Sequence, residues 1–219
     1  MAIMRRLLFL ILLLPAVSVL AEDSAALPPD ALVRQMVDEV LSSIKQNRAI
    51  THDLKKMDDL VDAKVLPYFD FSRMTQLTIS SKYWANAMPQ DRQQLIGEFR
   101  IFIAHAFSDV VAQYTNQNIF FTPLHMQPED REIIVKTTVI DPGDGPMRMD
   151  YKLEKTASGW MIYDVEMDSI SLTRIYRSNF SNEMQHGGVS NLIDVLHKKN
   201  LEVGAARQTS VRAADSSHP

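Results

Sequence analysis

The chain has 219 residues, 23 Lys+Arg against 27 Asp+Glu, and no Cys. A net charge of −4 leaves no electrostatic footprint for nucleic acid, so no nucleic-acid partner is expected. The lack of Cys excludes a disulfide framework, a thiolate metal site and a Cys nucleophile. Apolar content of 46% and charged content of 23% exclude wholesale disorder, and the length suits one domain with its own core.

Residues 1–21 read as a cleaved secretory signal peptide. Arg5 and Arg6 form a basic n-region, Leu7–Val19 is nearly all apolar, and Val19-Leu20-Ala21 offers small side chains for cleavage. The apolar run is about 13 residues, short of the roughly 20 that a spanning helix needs. Without Arg5 and Arg6 the chain holds 21 basic and 27 acidic residues, a net of −6. The expected compartment is the periplasm. The expected domain spans residues 22–203, beginning with a short linker over residues 22–29, and residues 204–219 read as a disordered tail because they are small, polar and aperiodic.

Within the domain, Asp30 is placed to cap a first helix, which carries Leu32, Met36, Val37, Val40, Leu41 and Ile44 at helical spacing. A second helical stretch, 51–66, ends at Pro67, and the apolar segment Phe69–Ile79 is partly helical. The longest helix opens at Pro89 and runs to Tyr114, with Leu95, Phe99, Phe102, Ile103, Ala106, Val110 and Tyr114 on one face. After Asn116 the period changes from 3.6 to 2. Strands are expected over 119–124, 133–140, 147–155 and 160–168, the last two forming a hairpin across Ser158-Gly159. Met147, Met149, Tyr151 and Leu153 face one way, and Arg148, Asp150, Lys152 and Glu154 the other. Helices over 171–182 and 190–199 close the domain, with Gly187-Gly188 between them free to absorb backbone rotation. The order of helices, antiparallel meander and helices makes the fold class α+β, and a curved sheet with one apolar face and a long helix across it forms a cone that either fills with its own side chains or encloses a ligand.

Chemistry is sparse. The sequence contains no nucleophile elbow, dinucleotide or phosphate loop, or H-E-x-x-H pair, and no two of the six His stand three or four residues apart. Asp58, Asp59 and Asp62 read as a solvated helix face and not a cation site. Asp164, mid-strand, reads as the structural partner of an arginine. No enzyme, metal or cofactor is expected. Met74, Met147, Met149, Met161 and Met167 lie near aromatic residues, and unbranched, polarizable Met suits an interior that accepts apolar ligands.

Several blocks then become specific. Val65-Leu66-Pro67-Tyr68-Phe69-Asp70-Phe71-Ser72-Arg73-Met74-Thr75, Tyr83-Trp84, Pro89-Gln90-Asp91-Arg92 and Glu98-Phe99 resemble the MlaC, or toluene-tolerance, family of periplasmic phospholipid carriers. So do Gly159-Trp160-Met161-Ile162-Tyr163-Asp164-Val165 and the run Ile170–Phe180. Gly188-Val189, Leu192-Ile193, Leu196 and Lys199-Asn200 fit the closing block, so the likeness covers about residues 30–200 in order. Ser81 and Ser169 depart from it, standing where the family usually has Gly.

The resemblance implies a soluble shuttle for glycerophospholipid, its fold a twisted antiparallel sheet of about four to five strands wrapped by helices and enclosing an apolar lipid cavity. Its partners would be an inner-membrane Mla ABC transporter complex and an outer-membrane lipoprotein–porin complex, and its role the maintenance of outer-membrane lipid asymmetry. Residues both apolar and expected to face inward give a lipid-binding set: Phe69, Met74, Leu77, Phe99, Phe102, Ile103, Met149, Tyr151, Tyr163, Val165, Ile170, Leu172 and Tyr176. Arg73, Arg174 and Arg177 are the expected head-group residues at the mouth, with Arg177–Asp164 pairing as the structural alternative for Arg177. Two other readings compete with the carrier. One is a periplasmic chaperone or adaptor binding proteins through an apolar groove. The other is an enzyme whose single candidate cluster is Asp164 with Tyr151.

Overall fold

The computed structural model describes residues 27–216 apart from 115, 142 and 144, and side chains as far as residue 210. The expected signal peptide and most of the expected linker lie outside the described residues.

Helix α1, Pro29–Gln46, buries the anticipated stripe of Leu32, Met36, Val37, Val40 and Ile44, together with Val33. Its N-terminus is set by Pro28 and Pro29. Asp30 makes no cap and stands inside the first turn, where a carboxylate still favours the positive end of the helix. A 3₁₀ turn, Arg48–His52, leads to α2, Leu54–Lys64. Asp53 caps α2, its Oδ1 accepting from the Lys56 N–H at 3.1 Å. Asp70 likewise caps α3, Phe71–Thr78, accepting from the Arg73 N–H at 2.9 Å. A short helix that periodicity did not reveal, α4, Ser81–Asn86, precedes α5, Pro89–Ala112.

Helix α5, about 36 Å long at 1.5 Å per residue, buries Leu95, Phe99, Ile103, Ala104 and Ser108. Val110, expected inward, is instead exposed. The buried face follows Leu95–Phe99–Ile103 and turns toward Ala104 and Ser108 because α5 packs against both α2 and α6.

Five antiparallel strands follow as a simple meander: β1 Asn118–Phe121, β2 Glu132–Ile140, β3 Met147–Thr156, β4 Gly159–Met167 and β5 Ile170–Ser171. The β3–β4 hairpin forms as anticipated, with a bulge that leaves Tyr163 unpaired between the Leu153–Ile162 and Lys152–Asp164 pairs. The two-residue β5 was too short to read. It depends on a turn in which Asp168 (φ 48°) and Ser169 (φ 71°) both adopt left-handed backbone, the requirement of a type I′ hairpin turn.

The two closing helices form as expected and follow one another through α6, Leu172–Ser216, parted by a kink at Gly188, whose φ of 68° and ψ of −152° are non-helical and belong to glycine. The helix continues beyond residue 203, into the stretch expected to form the tail. The reason is Arg207. Buried among α2 and α5, it pairs with Asp58, donates to Asp109 at 2.7 Å and to the His105 carbonyl at 3.1 Å. A single long cation thus docks a stretch that lacks an apolar period. It also gives Asp58 a structural role where the sequence suggested only a solvated face.

Candidate functional site

The inner face of the sheet is set by the period of 2. Val135, Tyr151 and Val165 lie side by side across β2, β3 and β4, as do Ile133, Leu153 and Ile162. Helices supply the opposite wall. The Phe69–Asp70 segment runs along the edge of β4, with Phe69 bridged to Ile162 and the Asp70 N–H donating to the Ile162 carbonyl at 2.8 Å. That edge contact holds α3 in place, so Phe71 and Met74 enter the same core as Phe99 and Ile103 of α5. Aromatic rings join the helices. Phe102 meets Tyr176 edge-on at 5.3 Å, Phe99 meets Phe180 at 5.8 Å, and Tyr176 stacks on Phe180 at 5.6 Å. Phe69 packs on Phe107 at 5.3 Å.

Of the thirteen residues expected to face lipid, Phe69, Met74, Phe99, Ile103, Tyr151 and Val165 are buried in one continuous apolar core. Phe102, Met149, Leu172 and Tyr176 are half-buried against it, and Leu77 is half-buried on α3. Two are elsewhere. Ile170 is 58% exposed, because the I′ turn and the short β5 rotate it outward. Tyr163, the bulge residue, lies under the Arg73 guanidinium at 3.7 Å and donates to Glu132 at 3.4 Å. The inward alternation therefore breaks at the bulge.

Arg73 is likewise committed. It donates to Glu132 at 2.6 Å and pairs with Glu154, two carboxylates on the polar face of the sheet. Burial opposes its charge, but the two carboxylates outweigh that effect and raise its pKa. It is a clamp between α3 and the sheet. Arg174 and Arg177 are exposed on the first turns of α6. Asp164 pairs with neither. Its Oδ1 accepts from the Thr173 N–H at 3.0 Å, and its Oδ2 accepts from Ser171 Oγ at 2.7 Å and from Lys152 Nζ at 3.4 Å. The structural cation is thus a lysine, and the main task of Asp164 is to cap α6. Asp164 and Tyr151 leave opposite faces, because Tyr151 is opposite Val165 and Asp164 is opposite Lys152.

Neither of two surface clefts formed by the described residues is lined by the thirteen. A groove of about 610 Å³ follows the polar side of α1 from Leu27 to Ser43. A smaller cleft of about 210 Å³ lies between α1, the segment after α5, and β1. Sequence reasoning missed it because its walls come from three distant segments. No described helix is long and apolar enough to cross a membrane.

An antiparallel meander with one apolar face, roofed by helices whose aromatic residues converge on it, defines a helix-wrapped α+β protein with an apolar interior. The chain belongs to the MlaC family, whose profile matches residues 34–198. Among characterised proteins it is similar to the toluene tolerance protein Ttg2D of Pseudomonas putida, at 24% identity over 99% of this chain and 96% of that one. Among solved structures it is similar to a phospholipid-binding protein from Ralstonia solanacearum, in complex with a phospholipid. That likeness has a TM-score of 0.72 and 30% identity, and covers 80% of this chain and 98% of the other.

Proposed function

We propose that this chain binds a glycerophospholipid with its acyl chains between the inner sheet face and the helical roof, and carries it through the periplasm after removal of residues 1–21. One observation carries the reading: the fold matches nearly the full length of a phospholipid-binding protein that holds its lipid. The apolar inner face of β2–β4 supports it, since each buried CH₂ contributes about 0.8 kcal/mol without any polar code. The lipid-facing set is then Phe69, Met74, Leu77, Phe99, Phe102, Ile103, Met149, Tyr151, Val165, Leu172 and Tyr176. Because Met74, Phe99 and Ile103 have no exposed surface, loading requires the roof and the sheet to separate. The shuttle would exchange lipid with an inner-membrane Mla ABC transporter complex and an outer-membrane lipoprotein–porin complex, and so maintain lipid asymmetry. Contact with those complexes, and not attraction to anionic membrane, would drive docking of an acidic chain.

Native mass spectrometry of freshly purified protein tests the reading. One phospholipid per chain is expected. Lipid-free protein carrying bound peptide would replace the carrier with the chaperone.

A further inference from the structure

The smaller cleft combines apolar and cationic side chains. Val37 and Leu41 of α1 and Ile119 and Phe121 of β1 line it, and all four also belong to or pack against the apolar core. Its floor is therefore built on the edge of the apolar core. Arg34 and Lys45 stand at its rim on the same helix. Among the described residues neither has an ion-pair partner. Asp38, the one carboxylate in the lining, sits a single turn from Arg34 but makes no ion pair with it, and the guanidinium lies 4.0 Å over the Phe121 ring. Stacking on the ring holds the guanidinium at the wall of the cleft. Arg48, just beyond α1, donates to Asn116 Oδ1 at 3.0 Å and adds a third positive charge beside the lining. The far wall is Tyr114, whose hydroxyl donates to the Gln117 carbonyl at 3.3 Å.

The side chains flanking this seam also differ in burial from those around the closed centre. Leu153, Ile162 and Ile103 have no exposed surface. Leu41, Tyr114, Ile119 and Phe121, which line the cleft, are only half-buried. Side chains that pack on the apolar core thus reach solvent here beside two cations that no carboxylate pairs among the described residues.

We propose that the cleft between α1 and β1 is a phosphate site for the ligand's head group, with Arg34 and Lys45 holding the phosphodiester while the tails pass between Leu41 and Phe121. The assignment rests on the phospholipid reading above. It moves the mouth away from Arg73, Arg174 and Arg177, the first of which is consumed by two glutamates. Recognition stops at the phosphate, because the open side of the cleft faces water.

The test loads the full mature chain from vesicles containing equal amounts of dioleoylphosphatidylglycerol and dioleoylglycerol, which share tails and differ in the phosphate. Bound lipid is counted by mass spectrometry. The wild type should prefer the phospholipid by about tenfold, the worth of one charge-assisted contact pair. Arg34→Gln/Lys45→Gln should bring the two lipids to near parity with dioleoylglycerol loading unchanged. A double variant that keeps the wild-type preference overturns the site. Both side chains are exposed, so folding should persist. Lys45→Glu alone gives a second reading and should invert less than fully. Inorganic phosphate, followed by ³¹P line broadening on lipid-loaded protein, separates the sources. Broadening that the double variant abolishes would make this a free-phosphate site and overturn the head-group assignment. A wild type that loads neither lipid would instead remove the phospholipid reading itself.

Discussion

Tyr151 Oη donates to Met149 Sδ across 3.0 Å on the inner sheet face. A thioether is a weak acceptor, so this buried phenol makes little use of its hydroxyl. Burial pushes its pKa well above the ordinary value. A raised pKa on an acid that is neutral when folded adds stability that is complete below the unfolded value, about 10, and is lost as pH rises beyond it. Tyr151→Phe should therefore change stability at pH 7 by no more than about 1 kcal/mol. It should retain lipid and unfold less readily in strong alkali than the wild type. Urea titrations at neutral and alkaline pH check this. Alkaline sensitivity persists in part, since Tyr68, Tyr163 and Tyr176 are also shifted upward by burial.

The exposed Ile170 and the half-buried Met149 give opposite expectations for the same substitution. Ile170→Glu places a carboxylate in water and should leave lipid retention as in the wild type. Met149→Glu places one beside the proposed tails, where an unpaired charge is strongly disfavoured. It should lose co-purifying lipid while keeping its far-ultraviolet circular dichroism. Lipid loss in the first variant with normal lipid in the second would reverse the sheet-face assignment.

The contrast shows what the sequence made legible. Strict periods carried α1, α5 and the β3–β4 hairpin, because each buries one continuous face. Alternation failed at Tyr163, where a single bulge residue shifts the face, and at Ile170, where a two-residue strand is too short to show a period. The clamp made by Arg73 was hidden for another reason. Its partners Glu132 and Glu154 lie 59 and 81 residues away, and no local pattern announces such a pairing. The α1–β1 cleft was invisible for the same cause. Asp53 and Asp70 did carry a local signal, a short acid directly before a helix, that would have placed two caps.

The Asp168–Ser169 turn stores local strain. Left-handed backbone costs a side-chain-bearing residue about 1–2 kcal/mol, and Asp tolerates it better than Ser. Ser169→Gly restores the residue that the family usually has here. It removes the strain but gives up the Arg148–Ser169 contact at 3.2 Å, which is exposed and worth little. A net gain of about 0.5–1 kcal/mol is expected, raising the Tm by roughly 1–4 °C for a chain of this size. An unchanged or lower Tm by differential scanning calorimetry would show that the turn is unstrained.

Asp58 links the end of α6 to acid stability. Burial alone would raise its pKa, but hydrogen bonds from His105, Ser108 and Arg207 outweigh that and hold it below the usual value. A depressed pKa gives stability that is present above the unfolded value, about 3.9, and is lost as pH falls through the folded one. Asp53, with its backbone hydrogen bond from Lys56, and Glu132, bound by Arg73, act in the same window. Arg207→Ala should cost about 2–3 kcal/mol at pH 7, because it strands a half-buried carboxylate. It should also flatten the loss of stability between about pH 5 and pH 3. Equal acid sensitivity in wild type and variant would show that Asp58 owes its shift to other partners.

The bend at Gly188 connects stability to exchange. Its φ of 68° with ψ of −152° lies in a region closed to side-chain-bearing residues, so Gly188→Ala must straighten α6 or strain it, at about 1–3 kcal/mol. Gly187 is constrained differently. A Cβ there would stand 2.6 Å from Asn191 Cβ. Asn191 has little freedom to retreat, since its Nδ2 donates to the Glu183 carbonyl at 3.1 Å and to Glu183 Oε2 at 3.0 Å. The two halves of α6 therefore meet at a joint whose angle is set by two glycines and one asparagine. Tyr176 and Phe180 sit on the first half and Leu192 and Leu196 on the second, all packed on the same core. Separating roof from sheet to admit a lipid would change that angle. Gly188→Ala, measured at 25 °C where it remains folded, should slow exchange of fluorescent phospholipid with vesicles by more than its stability loss explains. Gly97→Ala, whose added methyl meets nothing within 4 Å on α5, is the control and should exchange as the wild type does. Exchange by Gly188→Ala at the wild-type rate would mean that the bend is a fixed kink and that the interior opens at another seam.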